Sequence, residues 1–197
     1  IIGLIVFITA TAFLPLRSSL IKNLRSRRQD RSYEQLQAFS RSLTQATSID
    51  STLRLLRQTI IEILAPGHLH IYIYSSLTDA YIATPDFGAE SPQATSDLRF
   101  QSSSPLVQFL TNRRKSIFFG DAEILPALVK PEQSRIALFG PSLVVPLRGV
   151  NRLIGWTILG IPRANEAGYS DQEVEFLEAI CDQAALALER NQVLADL

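Results

Sequence analysis

The amino-acid sequence predicts an α+β fold, in which an antiparallel sheet is flanked by N- and C-terminal helices and preceded by a partial transmembrane helix. Three observations predict it. The chain opens with an apolar segment followed by basic residues, apolar side chains recur at spacings of three and four near both ends, and alternating segments separated by turn residues lie between them.

The apolar start extends from Ile1 to Leu16, where the only polar side chains are Thr9 and Thr11. As a helix it would be about 24 Å long, less than the roughly 30 Å hydrocarbon core of a bilayer. Six basic residues and one acid follow within residues 17–31, which is typical of a cytoplasmic flank. We therefore expect residues 1–16 to be the C-terminal part of a transmembrane helix whose beginning precedes Ile1, since the chain has no initiating Met.

This interpretation places the protein in the cell inner membrane, with the following domain in the cytoplasm. Two alternatives are a signal-peptide segment, with Ala10-Thr11-Ala12 resembling a cleavage site, and a buried core helix. The basic run argues against cleavage, and four turns without a polar face are unusual for a core helix.

Composition excludes several classes of function. The single cysteine, Cys181, rules out an internal disulfide framework and a thiolate metal site, because both need several sulfurs. Outside the basic flank the chain has more acids than bases and no basic stripe, so we expect no nucleic-acid partner.

Residues 17–40 are predicted to form a basic juxtamembrane linker helix. Tyr33, Leu36, Phe39 and Leu43 make one helical stripe, which suits either a parallel dimer seam or packing on the domain's own sheet. A second helix is predicted over 51–64, between N-cap oxygens at 48–51 and a stop at 65–67.

The first predicted strand, His68–Tyr74, alternates between two faces and indicates a half-buried strand. Residues 79–83 form its predicted hairpin partner, and 84–103 a long loop. Further along we expect a helix from Ser104-Pro105 to Leu110, an edge strand at 117–119 and a weak helix at 122–129. Residues 135–139 then lead to a turn and to a hairpin of 142–147 with 153–161.

The last predicted helix covers 171–197 and continues beyond the fragment. Ser170 and Glu173 form a capping box that starts it, and apolar residues from Val174 to Leu188 keep a three-four spacing. This pattern is typical of a connecting coiled-coil helix, so we expect a homodimer formed through the helices.

Two segments resemble the closing half of a GAF domain: SLVVPLRGVNRLIGWTILG, starting at Ser142, and YSDQEVEFLEAICDQAALALERNQ, starting at Tyr169. The resemblance covers about 41–197 and implies a GAF sensory domain over 41–190, with a GAF/PAS-like sheet. Residues 15–43 are similar to the segments that join membrane regions to GAF domains in bacterial sensor histidine kinases.

The resemblance implies a non-catalytic sensory module that relays small-molecule or membrane signals to a kinase domain after Leu197. The alternatives are a ligand-free GAF dimerisation spacer and the input domain of a diguanylate cyclase or a phosphatase. We expect no enzymatic activity in this fragment.

The residues that bind ligands in known members of the family are mostly replaced at the matching positions of this chain. At the motif of cyclic-nucleotide-binding members this chain has Asn165, Glu166, Tyr169, Glu173 and Val174, so an acid replaces Lys and Tyr replaces Phe. Bilin attachment needs a cysteine near a histidine, whereas Cys181 lies in the terminal helix. Methionine-sulfoxide reductases of the family need more than one cysteine.

The sequence indicates no metal site and no cofactor, although an unidentified small-molecule ligand fits the family. His68 and His70 share a strand face, but no acidic or sulfur ligand lies near them in sequence. A sheet with helices on one face leaves the other face for a pocket. The candidate ligand-binding residues there are Tyr72, Tyr74, Arg135, Phe139 and Trp156.

Overall fold

The computed structural model describes residues 33–85, 98–120, 125–163 and 168–195. The chain divides into the units Ile1–Ala38 and Phe39–Leu197, and the described residues of the first unit, 33–38, are helical. The predicted membrane segment 1–16 and the linker up to residue 32 lie outside the described residues. Within the described ranges, no helix is long and apolar enough to cross a membrane.

Apart from the strand Arg99–Gln101 and the helix Gln133–Ala137, the described elements follow the predicted order. The helices are α1 over 33–45, α2 Ile49–Leu64, α3 Pro105–Thr111, α4 Gln133–Ala137 and α5 Asp171–Ala195, and a 3-10 turn, Lys130–Glu132, precedes α4. The strands are β1 Leu69–Ser75, β2 Ala80–Ala83, β3 Arg99–Gln101, β4 Ile117–Phe119, β5 Ser142–Arg148 and β6 Leu153–Gly160.

The six strands form one sheet in the order β3-β2-β1-β6-β5-β4, with every neighbouring pair antiparallel. β1 lies at the centre, and its residues 69–73 are buried on both faces rather than half-buried as predicted. Helices α2 and α5 lie over one face, while the side chains of α3 pack over the other. A central strand between two layers needs no solvent face.

Local capping signals in the sequence predicted the capping residues of α2, α3 and α5, and α2 begins two residues earlier than predicted, at Ile49. Ser48 and Ser51 form a reciprocal capping box at α2, the Ser104 side chain caps α3, and Ser170 Oγ accepts from the Glu173 amide at α5. The Glu173 carboxylate accepts in return from the Ser170 amide, at 2.8 Å. These side chains satisfy amides that a helix leaves without internal partners.

The apolar stripe of α5 packs on the domain's own sheet instead of forming a coiled-coil seam. Leu177, Ile180, Cys181, Ala184 and Leu188 are all fully buried. Spacings of three and four identify a buried helix face but not its partner. The same applies to Phe39 and Leu43 of α1, which are buried in the second unit.

Two other expectations were wrong. The predicted loop 84–103 contains β3, which extends the sheet beside β2. The predicted helix at 122–129 is not helical over its described residues, 125–129, and the helical residues come later, in the 3-10 turn and α4. Pro126 and Pro131 explain the shift, because proline is tolerated at a helix start and not within it.

Candidate functional site

The sheet face opposite α2 and α5 is occupied by five packed rings, which we call the aromatic cluster: Tyr72, Tyr81, Phe100, Phe139 and Trp156. Tyr72 and Trp156 are register partners on β1 and β6, and their rings stack at 5.2 Å between centroids and 13° between planes. Phe100 meets both rings edge-on, at 5.5 and 5.6 Å. These are favourable aromatic geometries, so the rings hold one another in place.

The aromatic cluster fills the face that the sequence predicted to be free for a pocket. Tyr72, Phe100 and Trp156 are each 0% exposed, and α3 and α4 supply Leu106, Leu110 and Ile136 to the same core. Phe100 comes from β3, the strand that the sequence did not predict. Side chains of this chain therefore occupy much of the space expected for a ligand.

One polar atom within the aromatic cluster lacks a partner. The Trp156 indole Nε1 is buried and has no hydrogen bond within the described structure, whereas the Tyr81 hydroxyl donates to the Leu153 carbonyl at 2.9 Å. Burial raises the pKa of Tyr72, so its hydroxyl stays protonated. An unpaired buried donor is unusual in proteins, and this N–H could donate a hydrogen bond to a water or to a small ligand.

Arg135 covers the aromatic cluster, and its guanidinium is engaged by neighbouring groups of the protein. Its guanidinium lies 4.2 Å from the Phe100 ring centre, donates to Glu132 Oε1 at 2.8 Å and donates to the Arg99 carbonyl. The other oxygen of Glu132, a residue only 7% exposed, accepts from the Leu106 amide at 2.8 Å. The Glu132 carboxylate and the Arg135 guanidinium therefore connect α3, α4 and β3 through hydrogen bonds.

Tyr74 lies at the margin of the aromatic cluster. Its ring is 5.4 Å from that of Tyr81, and its hydroxyl donates to Asp79 Oδ1 at 3.0 Å. The Ser102 hydroxyl donates to the other Asp79 oxygen at 2.8 Å, which links the β1–β2 turn to the segment after β3. The hydrogen bond to Asp79 raises the pKa of Tyr74.

The structure thus brings together Tyr72, Phe139 and Trp156, with Arg135 above them and Tyr74 beside them. Sequence reasoning missed Tyr81, Phe100 and Glu132. In the predicted strand 79–83, the alternation of side chains puts Tyr81 on the face opposite to Ala80 and Ile82, and this could have identified Tyr81 as a ring of that face. Three residues of β3 are too few to show a period, and no local pattern marks a glutamate that will be buried.

Helix α5 is joined by side chains to several parts of the domain. Glu178 accepts from Lys115 Nζ at 2.7 Å and from both the amide and the hydroxyl of Ser116, just before β4. Glu189 accepts from the Val150 amide at 2.7 Å in the β5–β6 turn. Burial opposes the ionisation of Glu178, but the bonds from Lys115 and Ser116 prevail, and its pKa is lowered.

The C-terminal part of α5 also contacts the junction between α1 and α2. Asn191, 4% exposed, donates from Nδ2 to Thr52 Oγ1 at 3.1 Å and to the Ala46 carbonyl at 3.5 Å. The Arg190 guanidinium donates to the same carbonyl at 3.3 Å. Hydrogen bonds therefore connect α5 directly to the junction between α1 and α2.

The other residues considered from sequence have packing roles. Cys181 is fully buried beside Thr157, with 3.8 Å between Sγ and Oγ1, and burial raises its pKa to about 12. The Tyr169 hydroxyl donates to the Gly160 carbonyl, while Asn165 and Glu166 lie outside the described residues. Among described residues, no group of three or more His, Cys, Asp or Glu could hold a metal ion.

Comparison with known proteins shows which solved structures and which family this fold resembles. A search of curated protein sequences gives no significant match. The fold is similar to the GAF domain of a two-component sensor histidine kinase from Bacillus halodurans, with a TM-score of 0.58 and 16% identity over 76% of this chain and 99% of that one.

Two other solved structures give comparable figures. The GAF domain of a phosphoenolpyruvate-protein phosphotransferase from Coxiella burnetii has a TM-score of 0.61 and 18% identity, over 84% of this chain and 97% of that one. A methyl-accepting chemotaxis protein, residues 122 to 287, has a TM-score of 0.61 and 16% identity, over 81% and 99%.

These identities are too low to transfer more than the fold. The family assignment comes from the sequence, because residues 46–189 match the model of the GAF domain family. This match spans most of the chain and both faces of the sheet described above. The chain therefore belongs to the GAF domain family, a family of sensory domains.

Proposed function

We propose that this chain is the sensory module of a membrane-anchored two-component sensor histidine kinase and that it transmits its signal through α5. The observation that supports this most is the bonding of α5 to both the β5–β6 turn and the α1–α2 junction. A displacement at either place changes the contacts of one helix. The membrane anchor in this proposal is residues 1–16, with the GAF domain in the cytoplasm and the kinase domain after Leu197.

The α1–α2 junction has the properties of a switch point. Asn191 uses its Nδ2 group there, while its Oδ1 is buried and has no hydrogen-bond partner in the described structure. A half-satisfied buried amide lowers the stability of the arrangement in which it occurs. We propose that the relay uses a second arrangement of this junction in which Asn191 Oδ1 gains a hydrogen-bond donor.

We further propose that α5 pairs with its copy in a homodimer. Leu186 and Val193 on its outer face are 52% and 54% exposed and seven residues apart, and Ala179 lies seven residues earlier. A seven-residue repeat is the spacing of a coiled-coil seam. This outer stripe differs from the buried stripe of α5 that runs from Leu177 to Leu188.

A second candidate is a ligand-free dimerisation spacer that relays movement without binding a small molecule. The packing of the aromatic cluster favours this candidate, because the side chains of Tyr72, Phe100 and Trp156 are fully buried and offer a ligand no accessible surface. In this version the input is a rotation or displacement of the helix that enters the domain. The output through α5 is the same in both candidates.

The kinase assignment is tested on the complete natural protein in membrane vesicles incubated with labelled ATP. We expect phosphate that is labile in acid and stable in base, as for phosphohistidine. Formation of a cyclic dinucleotide or hydrolysis of a phosphoprotein, without such labelling, would instead assign a cyclase or a phosphatase output and refute the kinase proposal.

The relay through paired α5 helices is tested by the double substitution Leu186→Asp and Val193→Asp, with Leu77→Asp as the control. Leu77 is 95% exposed in the β1–β2 turn, so the same change of an exposed apolar residue to Asp is made outside the α5 stripe. We expect the double variant to sediment as a monomer and to lose signal-dependent output, while the control stays dimeric and active. A dimeric, active double variant would refute the pairing.

A further inference from the structure

The imidazole of His68 is packed against backbone at the end of the sheet where β1 begins and β6 ends. A Cβ on Gly160 would lie 2.4 Å from His68 Nδ1, so the ring covers this glycine. The ring centroids of His68 and His70 are 5.3 Å apart. We propose that protonation of His68 weakens the contacts between the start of β1 and the end of β6, which makes this end of the domain an acid-sensitive switch.

A protonated His68 would have one N–H group without an acceptor. Its Nε2 is buried and has no hydrogen-bond partner among the described residues. The neutral ring can leave that nitrogen without a hydrogen, whereas the imidazolium carries a hydrogen on both nitrogens. A buried charged donor without an acceptor costs free energy, so the packed arrangement favours the neutral ring.

The ionisable groups around His68 do not offset this cost. Arg57 of α2 and Arg163 line a surface cleft together with His68, and no described residue that lines this cleft is acidic. The remaining neighbours are His70 on β1 and Tyr169, whose hydroxyl bonds to the Gly160 carbonyl and whose pKa is raised by burial. None of the four has a negative charge at neutral pH that would stabilise an imidazolium.

The stability of the folded domain should therefore fall in acid. Burial lowers the pKa of His68 from its ordinary value of 6.5, so the unfolded chain takes up the proton at a higher pH than the folded one. The loss of stability begins near pH 6.5 and continues until the pH reaches the lower pKa of the folded state.

Hydrogen bonds connect His68 to the start of α5. The Gly160 amide donates to the His68 carbonyl at 3.0 Å, and the Gly160 carbonyl accepts from the Tyr169 hydroxyl at 2.7 Å. Ser170, the next residue along the chain, caps α5. A change in the packing of the His68 ring on Gly160 would therefore reach the residues at which α5 begins. The switch itself does not depend on the kinase output or on the pairing of α5.

The first test is an NMR titration of the 197-residue chain in a mild non-ionic detergent, from about pH 8 to about pH 5. His68 and His70 are the only histidines, so the variant His70→Phe assigns the two imidazole signals. We expect His68 to titrate with a midpoint below 6.5 and the Gly160 amide signal to move with the same midpoint. A His68 midpoint at or above 6.5, or a Gly160 signal that does not follow it, would overturn the proposal.

The second test compares thermal unfolding at about pH 7.5 and about pH 5.5, followed by the fluorescence of Trp156. His68→Phe keeps a ring over Gly160 that cannot be protonated, and His70→Phe is the matched control. We expect acid to lower the midpoint temperature of the wild type and of His70→Phe by about 2–4 °C more than that of His68→Phe. An equal acid-dependent loss in all three proteins would contradict the switch. The NMR titration of the wild type decides the question if His68→Phe does not fold.

Discussion

Replacement of Phe100 by alanine tests whether the aromatic cluster is a packed core or a collapsed ligand pocket. Phe100 is 0% exposed, contacts the rings of Tyr72 and Trp156 and lies beneath the Arg135 guanidinium. A phenylalanine-to-alanine change in a core costs about 3–5 kcal/mol. Loss of the cation–π contact adds about 0.5–1 kcal/mol. We therefore expect the free energy of unfolding to fall by roughly 4–6 kcal/mol.

The assay is equilibrium unfolding in urea followed by the fluorescence of Trp156, the only tryptophan. With a slope of about 2 kcal/mol per M, the midpoint should fall by roughly 2–3 M. Phe118→Ala is the matched control, since Phe118 lies on edge strand β4 and is 56% exposed. We expect it to cost less than about 1 kcal/mol.

A loss below about 1.5 kcal/mol for Phe100→Ala, or a loss equal to that of Phe118→Ala, would refute the packed-core reasoning. It would mean that the Tyr72 face accommodates the removal of a ring, as an adaptable ligand pocket would. The ligand-free spacer would then lose its main support. A loss near the expected value would strengthen it.

Three further results are expected. Because the pKa of Glu178 is lowered in the folded state, its stabilising effect is present above its ordinary pKa of 4.5 and is lost as the pH falls further. The stability difference between wild type and Glu178→Gln, about 1–2 kcal/mol at neutral pH, should shrink toward zero in acid unfolding curves; a constant difference would contradict this. Cys181, buried with its pKa raised to about 12, should react with a thiol reagent only after denaturation. Equal labelling rates in native and denatured protein would show that the thiol is accessible. Gly155→Ala should prevent folding, because its Cβ would lie 1.9 Å from the Tyr72 carbonyl oxygen; a soluble variant with native circular dichroism would disprove this.

Local signals in the sequence were enough to predict the capping residues of α2, α3 and α5 and the β5–β6 hairpin. Ser48, Ser104 and Ser170 each cap the helix that their position predicted, because a cap depends only on residues a few positions away. The hairpin succeeded for the same reason, since its strands are long and its turn is short.

The contents of the candidate site depended on contacts that are distant in sequence. β3 is recognisable only through its pairing with β2, and Glu132 is buried only because the Leu106 amide and Arg135 meet it. The stripe of α5 was seen correctly, but the spacing could not distinguish a sheet from a second helix as its partner. Four of the five candidate residues are aromatic and lie in or beside the aromatic cluster. The fifth, Arg135, covers the cluster and hydrogen-bonds to Glu132 and to the Arg99 carbonyl.

The buried carboxylate of Glu132 connects the segments that cover the aromatic cluster. One of its oxygens holds the start of α3, while the other holds Arg135 of α4, which itself reaches the backbone of β3. Moving any one of these three segments away from the aromatic cluster would break a hydrogen bond of Glu132 or Arg135. If a small molecule reaches the Trp156 indole only after such a movement, its measured affinity would be reduced by the fraction of molecules that are open. Substitutions that loosen this single carboxylate would then increase binding on a face where they make no contact with the ligand.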